Sequence, residues 1–200
     1  IAEAGTVVLV VGDTITPSSV TPSGTATITT YDAATGKTID NGSLMTSATS
    51  AGALTNVSWA LNLNTPGVAN DATLTKIVSG RIGRGSCIEI VLPEVASAAQ
   101  TWQMPASSRV VTFVEPETGA GVASTTWDEA SRTLLVVTDG TTSIEEGSKV
   151  VMLIQDLTTP SSVTGGAYTV VVTSYSTASP SADTIVDGPT SIVGAAVAAG

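Results

Sequence analysis

The stretch Ile144-Glu145-Glu146-Gly147-Ser148-Lys149-Val150-Val151-Met152-Leu153-Ile154-Gln155-Asp156-Leu157-Thr158-Thr159-Pro160-Ser161-Ser162-Val163-Thr164 decides how this chain is organised, because much of it occurs twice. Laid without a gap on Ile1 to Thr21, it matches at about 11 of 21 positions, far above chance. Shared residues include Glu3 with Glu146, Val7-Val8 with Val150-Val151, Asp13 with Asp156, and Thr16-Pro17-Ser18-Ser19-Val20 with Thr159-Pro160-Ser161-Ser162-Val163. After small shifts Tyr31 meets Tyr175, Thr38-Ile39 meets Thr184-Ile185, and Asn41-Gly42 meets Asp187-Gly188. The spacing is about 143 residues in a chain of 200, so these are not two equal halves. Three parts are expected: 1–50 as the C-terminal part of one β module, 51–189 as a complete module whose end repeats that start, and 190–200 as a linking or donor strand.

The repeat carries a physical consequence. The runs Val7–Val11 and Val150–Ile154 do not alternate with polar residues, so both faces of each strand need cover. On a free edge they would be aggregation sites. A partial module cannot bury its strands alone, since repeat units complete their cores with neighbours. The economical solution is strand donation: a segment of one subunit, either Thr6–Val11 or Thr190–Ala198, fills the next subunit's incomplete sheet. Repeated head to tail, such a contact does not close and builds a filament.

Outward from the repeat, the pattern stays one of short strands. Thr25–Tyr31, Val57–Leu63, Cys87–Leu92, Arg109–Val114, Arg132–Val137, Val150–Ile154 and Tyr168–Thr173 are β-branched, aromatic or alternating. Turn chemistry separates them at Asp40-Asn41-Gly42, Thr65-Pro66-Gly67, Glu117-Thr118-Gly119, Asp139-Gly140 and Asp187-Gly188. Only Glu94 to Met104 has a composition compatible with a helix, and it is short and rich in Ala and Ser. The fold class expected is all-β: an antiparallel sandwich of immunoglobulin type, or a jelly roll, with an inter-subunit donor strand.

Composition narrows the function classes. The net charge of −10 argues against nucleic acid or an anionic membrane surface as partner. With no histidine, the usual general base and the commonest metal ligand are missing. Charged residues are 12%, against roughly 25% in ordinary soluble domains, while mean hydropathy is positive at +0.35. No apolar run reaches the roughly 18 residues of a membrane span. Ser and Thr, about 28% of the chain, are the groups left to wet the surface, with or without sugars. The chain starts at Ile1 with no initiator Met or cleavage motif, as a mature or partial polypeptide does.

Two N-glycosylation acceptors are present, Asn41 in a turn signal and Asn56 at a strand opening. The Pro/Ser/Thr clusters around Pro22, Pro160 and Ser176–Ser181 are plain loops or O-linked sites. Trp59 alternates with Leu61 and Leu63 and is expected to face inward; Trp127, before Asp128-Glu129, is the better surface candidate for stacking on sugar rings. Trp102 offers the same two readings. Carboxylates are the abundant titratable groups: Glu115 and Glu117, Asp128 and Glu129, Glu145 and Glu146. None of these spacings demonstrates the paired carboxylates of a glycosidase or the acidic loop of an EF-hand. Cys87 has no disulfide partner and no activating histidine, so it reads as a small buried hydrophobe. Arg81 and Arg84 flank a turn. No cofactor-binding or catalytic motif is present, and a non-enzymatic role is expected.

The recurring Pro-Ser-Ser-Val entry to a Val-rich β unit, the Ser/Thr content, the two acceptors Asn41 and Asn56, and the uncovered apolar ends together resemble the glycosylated surface filaments of algae and other aquatic microbes. Strand-exchanging bacterial pilins and adhesins are similar in kind. The resemblance implies a structural, extracellular or cell-surface subunit, an Ig-like sandwich, identical subunits as partners and covalent glycans. The rival reading is a carbohydrate-binding or adhesive Ig-like module, with an acidic hydrolase a distant third.

Overall fold

The computed structural model describes residue 8 and residues 10–12, 20–95, 101–105, 110–116, 120–139, 142–161 and 167–197. Eleven strands carry the described chain: β1 (Gly24–Tyr31), β2 (Thr38–Thr46), β3 (Thr55–Leu61), β4 (Ala69–Ile77), β5 (Cys87–Val91), β6 (Val111–Glu115), β7 (Val122–Asp128), β8 (Thr133–Thr138), β9 (Lys149–Thr158), β10 (Tyr168–Tyr175) and β11 (Ile185–Gly194). A 3-10 turn at Ala182–Thr184 precedes β11. The chain is all-β, as its alternation requires.

Strands β3 to β11 form two antiparallel sheets. One has the order β11-β10-β5-β8-β7 and the other β3-β4-β9-β6. Each inner face follows the period of two: β8 buries Leu134 and Val136, and β9 buries Val150, Met152 and Ile154. The run Val150–Ile154 thus buries one face in the core and leaves Val151 and Leu153 half-buried on the other, while β4 and β6 pair with its backbone on either side. Three tryptophans meet the same interior. The Trp59 indole N–H donates to the Tyr168 hydroxyl at 3.0 Å, and the Trp102 ring stands edge-on to Tyr168 with centroids 5.3 Å apart.

Several expectations are corrected. Trp127 is buried, because its pairing with Leu134 across β7 and β8 places it on the inner face. The signals Asp40-Asn41-Gly42 and Asp187-Gly188 are not turns but lie inside β2 and β11. The first hairpin turns instead at Asp32–Lys37, where the Asp32 carboxylate accepts the Ala34 and Thr35 N–H groups, each at 2.8 Å, and Gly36 takes φ 65°. Thr101–Pro105 is not helical: Gln103 bridges to Thr158 beside β9, while 96–100 lies outside the described residues. The boundary expected between 189 and 190 falls in the middle of β11, whose Thr190 to Gly194 pair with β10 of the same chain, and Ile192 and Val197 are buried.

The N-terminal part stands apart from both sheets. Strands β1 and β2 make a two-stranded sheet of their own. Its root is tied to the start of β11: Val20 N–H donates to Ile185 O at 3.0 Å, Thr21 and Thr49 bridge, Gly52 N–H donates to Val186 O at 2.8 Å, and Gly188 N–H to Gly52 O at 3.0 Å.

Candidate functional site

The β1–β2 hairpin is the part of the molecule whose chemistry is left incomplete. Register pairs Ala26 with Leu44 and Ile28 with Gly42, so Ala26, Ile28 and Leu44 share one face. The opposite face carries the pairs Thr25–Met45, Thr27–Ser43 and Thr29–Asn41, mostly hydroxyls and amide. The hairpin is therefore amphipathic, yet among the described residues nothing covers its apolar side: Ile28 is 46% exposed and Leu44 48%. Tyr31, Ile39 and Met45 are exposed as well, as are Val8, Val10 and Val11 upstream. A lone two-stranded hairpin is only marginally stable in water.

The sequence repeat shows what the hairpin corresponds to. Shifted by the repeat, β1 falls on β10 and β2 on β11, and both pairs are antiparallel hairpins. In the second copy Val170 pairs with Ile192 as Ala26 pairs with Leu44 in the first. There the equivalent face is closed by the opposing sheet, and β10 gains β5 as a second neighbour. Val172 is 0% exposed and Ile192 5%. The expected donor Thr6–Val11 is described only at Val8, Val10 and Val11, all exposed and outside any strand; Thr6, Val7 and Leu9 lie outside the described residues.

Both acceptor asparagines are at the surface. Asn41 projects from β2 on the hydroxyl-bearing side, within 3.5 Å of the Thr29 hydroxyl. Asn56 sits in a register irregularity between Thr55 and Ser58 at φ 49°, a left-handed conformation that asparagine tolerates. The bulge leaves its side chain outside the sheet.

The remaining candidates disperse. Glu115 pairs with Lys149 at 3.1 Å, Glu117 lies outside the described residues, and Arg81 binds Glu145 at 3.3 Å and the Ser143 hydroxyl at 2.8 Å on the open surface. Glu146 and Arg84 are exposed. The Ser131 hydroxyl and the Ser131 and Ala130 N–H groups hold Asp128 below the usual carboxylate range, which makes it a turn cap. Glu129 lines two shallow clefts of about 380 Å³, one with Gln103, Met104 and Trp127, the other with Thr101 and Arg132; neither brings a second carboxylate to it. Cys87 is buried and free, its thiol pushed up to about 11 by burial and the Glu89 charge. Among the described residues no group of His, Cys, Asp and Glu could hold a metal ion, and no helix is long and apolar enough to cross a membrane.

Sequence reasoning missed the polar cluster inside the sandwich, Lys76 with Ser174, Ser79 and Asp187. Its signal was present but unread: Lys76 occupies the fourth inward position of the alternating stretch Asn70, Ala72, Leu74, Lys76.

No protein-family profile and no curated protein sequence matches the chain. Among solved structures it is similar to a bacterial hydrophobin, BslA, at 13% identity and a TM-score of 0.36, over 76% of this chain and 98% of that one. It is also similar to the seventh ScaB type I cohesin from Pseudobacteroides cellulosolvens, at 14% identity and a TM-score of 0.39, over 72% of this chain and 93% of that one. A third is the C-terminal domain of the Streptococcus pyogenes antigen I/II-family protein AspA, at 11% identity and a TM-score of 0.34, over 88% of this chain and 54% of that one. What stands independently of these distant likenesses is an all-β, two-sheet antiparallel sandwich bearing a second, uncovered copy of its own last hairpin.

Proposed function

We propose that the chain is a structural subunit of an extracellular, glycosylated filament, and that its N-terminal unit joins it head to tail to a second copy by β-strand addition. The observation that carries this reading is the exposed face of Ala26, Ile28 and Leu44 on a hairpin whose repeat, β10–β11, is buried. A sequence that builds the same hairpin twice and covers it once has one hydrophobic face still to bury. Strand addition has places to occur, since β7 and β11 end one sheet and β3 and β6 the other. A contact between the N-terminal unit of one copy and a sheet edge of the next is heterologous and extends without closing.

Glycosylation fits the same surface. Asn41 projects from the hydroxyl-bearing side of β2, so a sugar there leaves the apolar side free for a neighbour. With so few charges, glycans on Asn41 and Asn56 would supply the hydration of an exposed polymer. The carbohydrate-binding alternative has lost its stacking candidates, because Trp59, Trp102 and Trp127 are all buried.

The test is sedimentation and electron microscopy of the purified chain beside a variant lacking residues 1–50. The full chain is expected to form concentration-dependent linear assemblies, and the truncated one to stay a folded monomer. A full chain that remains monomeric at every concentration, or filaments that persist after the truncation, would overturn the assignment.

A further inference from the structure

The sandwich holds a buried amine and a buried carboxyl that the rest of the core does not use. Lys76, on β4 of the four-stranded sheet, is 0% exposed, and its ammonium reaches across the core to donate to the Ser174 hydroxyl on β10. Ser174 pairs in register with Asp187 on β11, which is also 0% exposed. The Asp187 Oδ1 accepts the Ser79 hydroxyl at 2.7 Å, whereas its Oδ2 is buried with no partner. Lys76 forms no direct ion pair with it, although the negative charge of Asp187 is felt at the amine. Gly52 packs tightly on the Oδ1 side, where a Cβ would collide with Ser79 Oγ and Asp187 Oδ1.

Two opposite charges buried without full compensation are costly, and a buried pair contributes stability only when its lone pairs and protons are all satisfied. Here a lysine has a hydroxyl for a partner and a carboxylate keeps an orphan oxygen one residue pair away. The geometry points to an intramolecular amide bond between Lys76 Nζ and Asp187 Cγ, a covalent staple between the two sheets.

The chemistry balances without any external reagent. One ammonium proton passes to Asp187 Oδ2, leaving a neutral amine and a neutral acid. Burial favours the loss of that proton from the amine, since it pushes Lys76 down to about 7, against a smaller opposing effect of Asp187. The Nζ lone pair then attacks Cγ, and the negative charge that develops on Oδ1 is met by the Ser79 O–H already donating to it. A second nitrogen proton moves to Oδ2, the Cγ–Oδ2 bond breaks, and water leaves. The third proton remains as the amide N–H. One C–N bond has formed, one C–O bond has broken, and both buried charges are gone. Ser174 is a positioning residue: its hydroxyl holds the lysine amine at the residue that pairs in register with Asp187.

The position of the staple matters for a subunit under tension. Asp187 lies where the root of the β1–β2 hairpin is hydrogen-bonded, through Gly52 and Gly188, to β11. The bond would tie that root across the core to the central strand β4.

The test is intact-mass spectrometry of the folded full chain after removal of any sugars, with fragmentation of its proteolytic peptides. The expected result is a mass lower than the sequence demands by one water, and a branched peptide joining Lys76 to Asp187. The Lys76→Arg variant is expected at its full sequence mass. A wild-type chain at full sequence mass would overturn the proposal. So would a water loss that persists in Lys76→Arg, because the loss would then lie elsewhere.

Discussion

The two copies of the hairpin have the same strand order, similar sequences and opposite environments. In β10–β11 the inward residues Val170, Val172 and Ile192 are sealed by β5 and by the facing sheet; in β1–β2 the corresponding side is open to solvent. Asp187 and Asn41, matched in the repeat, face opposite ways: Asp187 pairs with Ser174 on the inward side and is buried, and Asn41 pairs with Thr29 on the hydroxyl-bearing side and is exposed. The glycines that follow them differ too. Gly188, at φ 89°, is packed so that a Cβ would come within 2.7 Å of Val172 O, while a Cβ on Gly42 would meet nothing. Hairpin formation is local, through register and a turn, whereas burial depends on what stands opposite. The difference teaches that one hairpin pattern is buried where a sheet stands opposite it and, among the described residues, exposed where none does.

The sharpest way to break the comparison is to place a charge on each copy. Ile192→Asp is expected to cost about 3 kcal/mol or more and to unfold much of the sandwich, since it strands a carboxylate in the core. Leu44→Asp should leave the sandwich's thermal transition within about 0.5 kcal/mol of wild type while removing assembly. Circular dichroism melts with sedimentation read both. Similar losses of fold stability from the two would mean that the N-terminal hairpin is already part of the core.

Aromatic truncation follows in size. Trp127→Ala is expected to cost about 3–5 kcal/mol by denaturant unfolding, because the indole fills the space beside Leu134 and Met104. Tyr31→Ala, on the exposed hairpin, should cost little in the isolated monomer. A smaller pair of substitutions tests the backbone. Gly188→Ala is expected to lose about 1–3 kcal/mol from positive φ and collision, and Gly42→Ala about none.

The smallest effect is a pH dependence. Tyr175 donates to Glu89 Oε2 at 2.8 Å, and burial, with that hydrogen bond, pushes its hydroxyl up to about 12. The folded state then holds a proton that the unfolded chain releases near the ordinary tyrosine value of about 10, so this stability is intact below about pH 10 and is lost as pH rises toward 12. Tyr175→Phe should flatten that alkaline decline in melting temperature.

The sandwich was legible where strands are apolar. Val57–Leu63, Cys87–Leu92, Arg132–Val137, Val150–Ile154 and Tyr168–Thr173 all overlap observed strands. Strands β2, β4 and β7 were not foreseen, and β11 only in its second half, from Thr190, each for a local reason. Strand β4 hides its period because two of its four buried side chains, Asn70 and Lys76, are polar. Strand β7 is mostly small and hydroxylated, and β2 and β11 contain Asn-Gly and Asp-Gly pairs that imitate turns. Trp127 was misplaced for the same reason: its orientation is set by alternation along β7, which the acids after it obscure. The repeat marked the N-terminal part as a partial module, but its apolar runs pointed to Thr6–Val11 and Thr190–Ala198 rather than to the β1–β2 hairpin. What linear spacing could not reveal was that Lys76 and Asp187, far apart in sequence, share one interior.

Amide hydrogen exchange of the full chain, followed as a function of its concentration, tests the central claim most directly. The account predicts fast exchange in Gly24–Thr46 at high dilution and strong protection there as assemblies form, with β10 and β11 protected throughout. Exchange in Gly24–Thr46 that is the same at every concentration would contradict it.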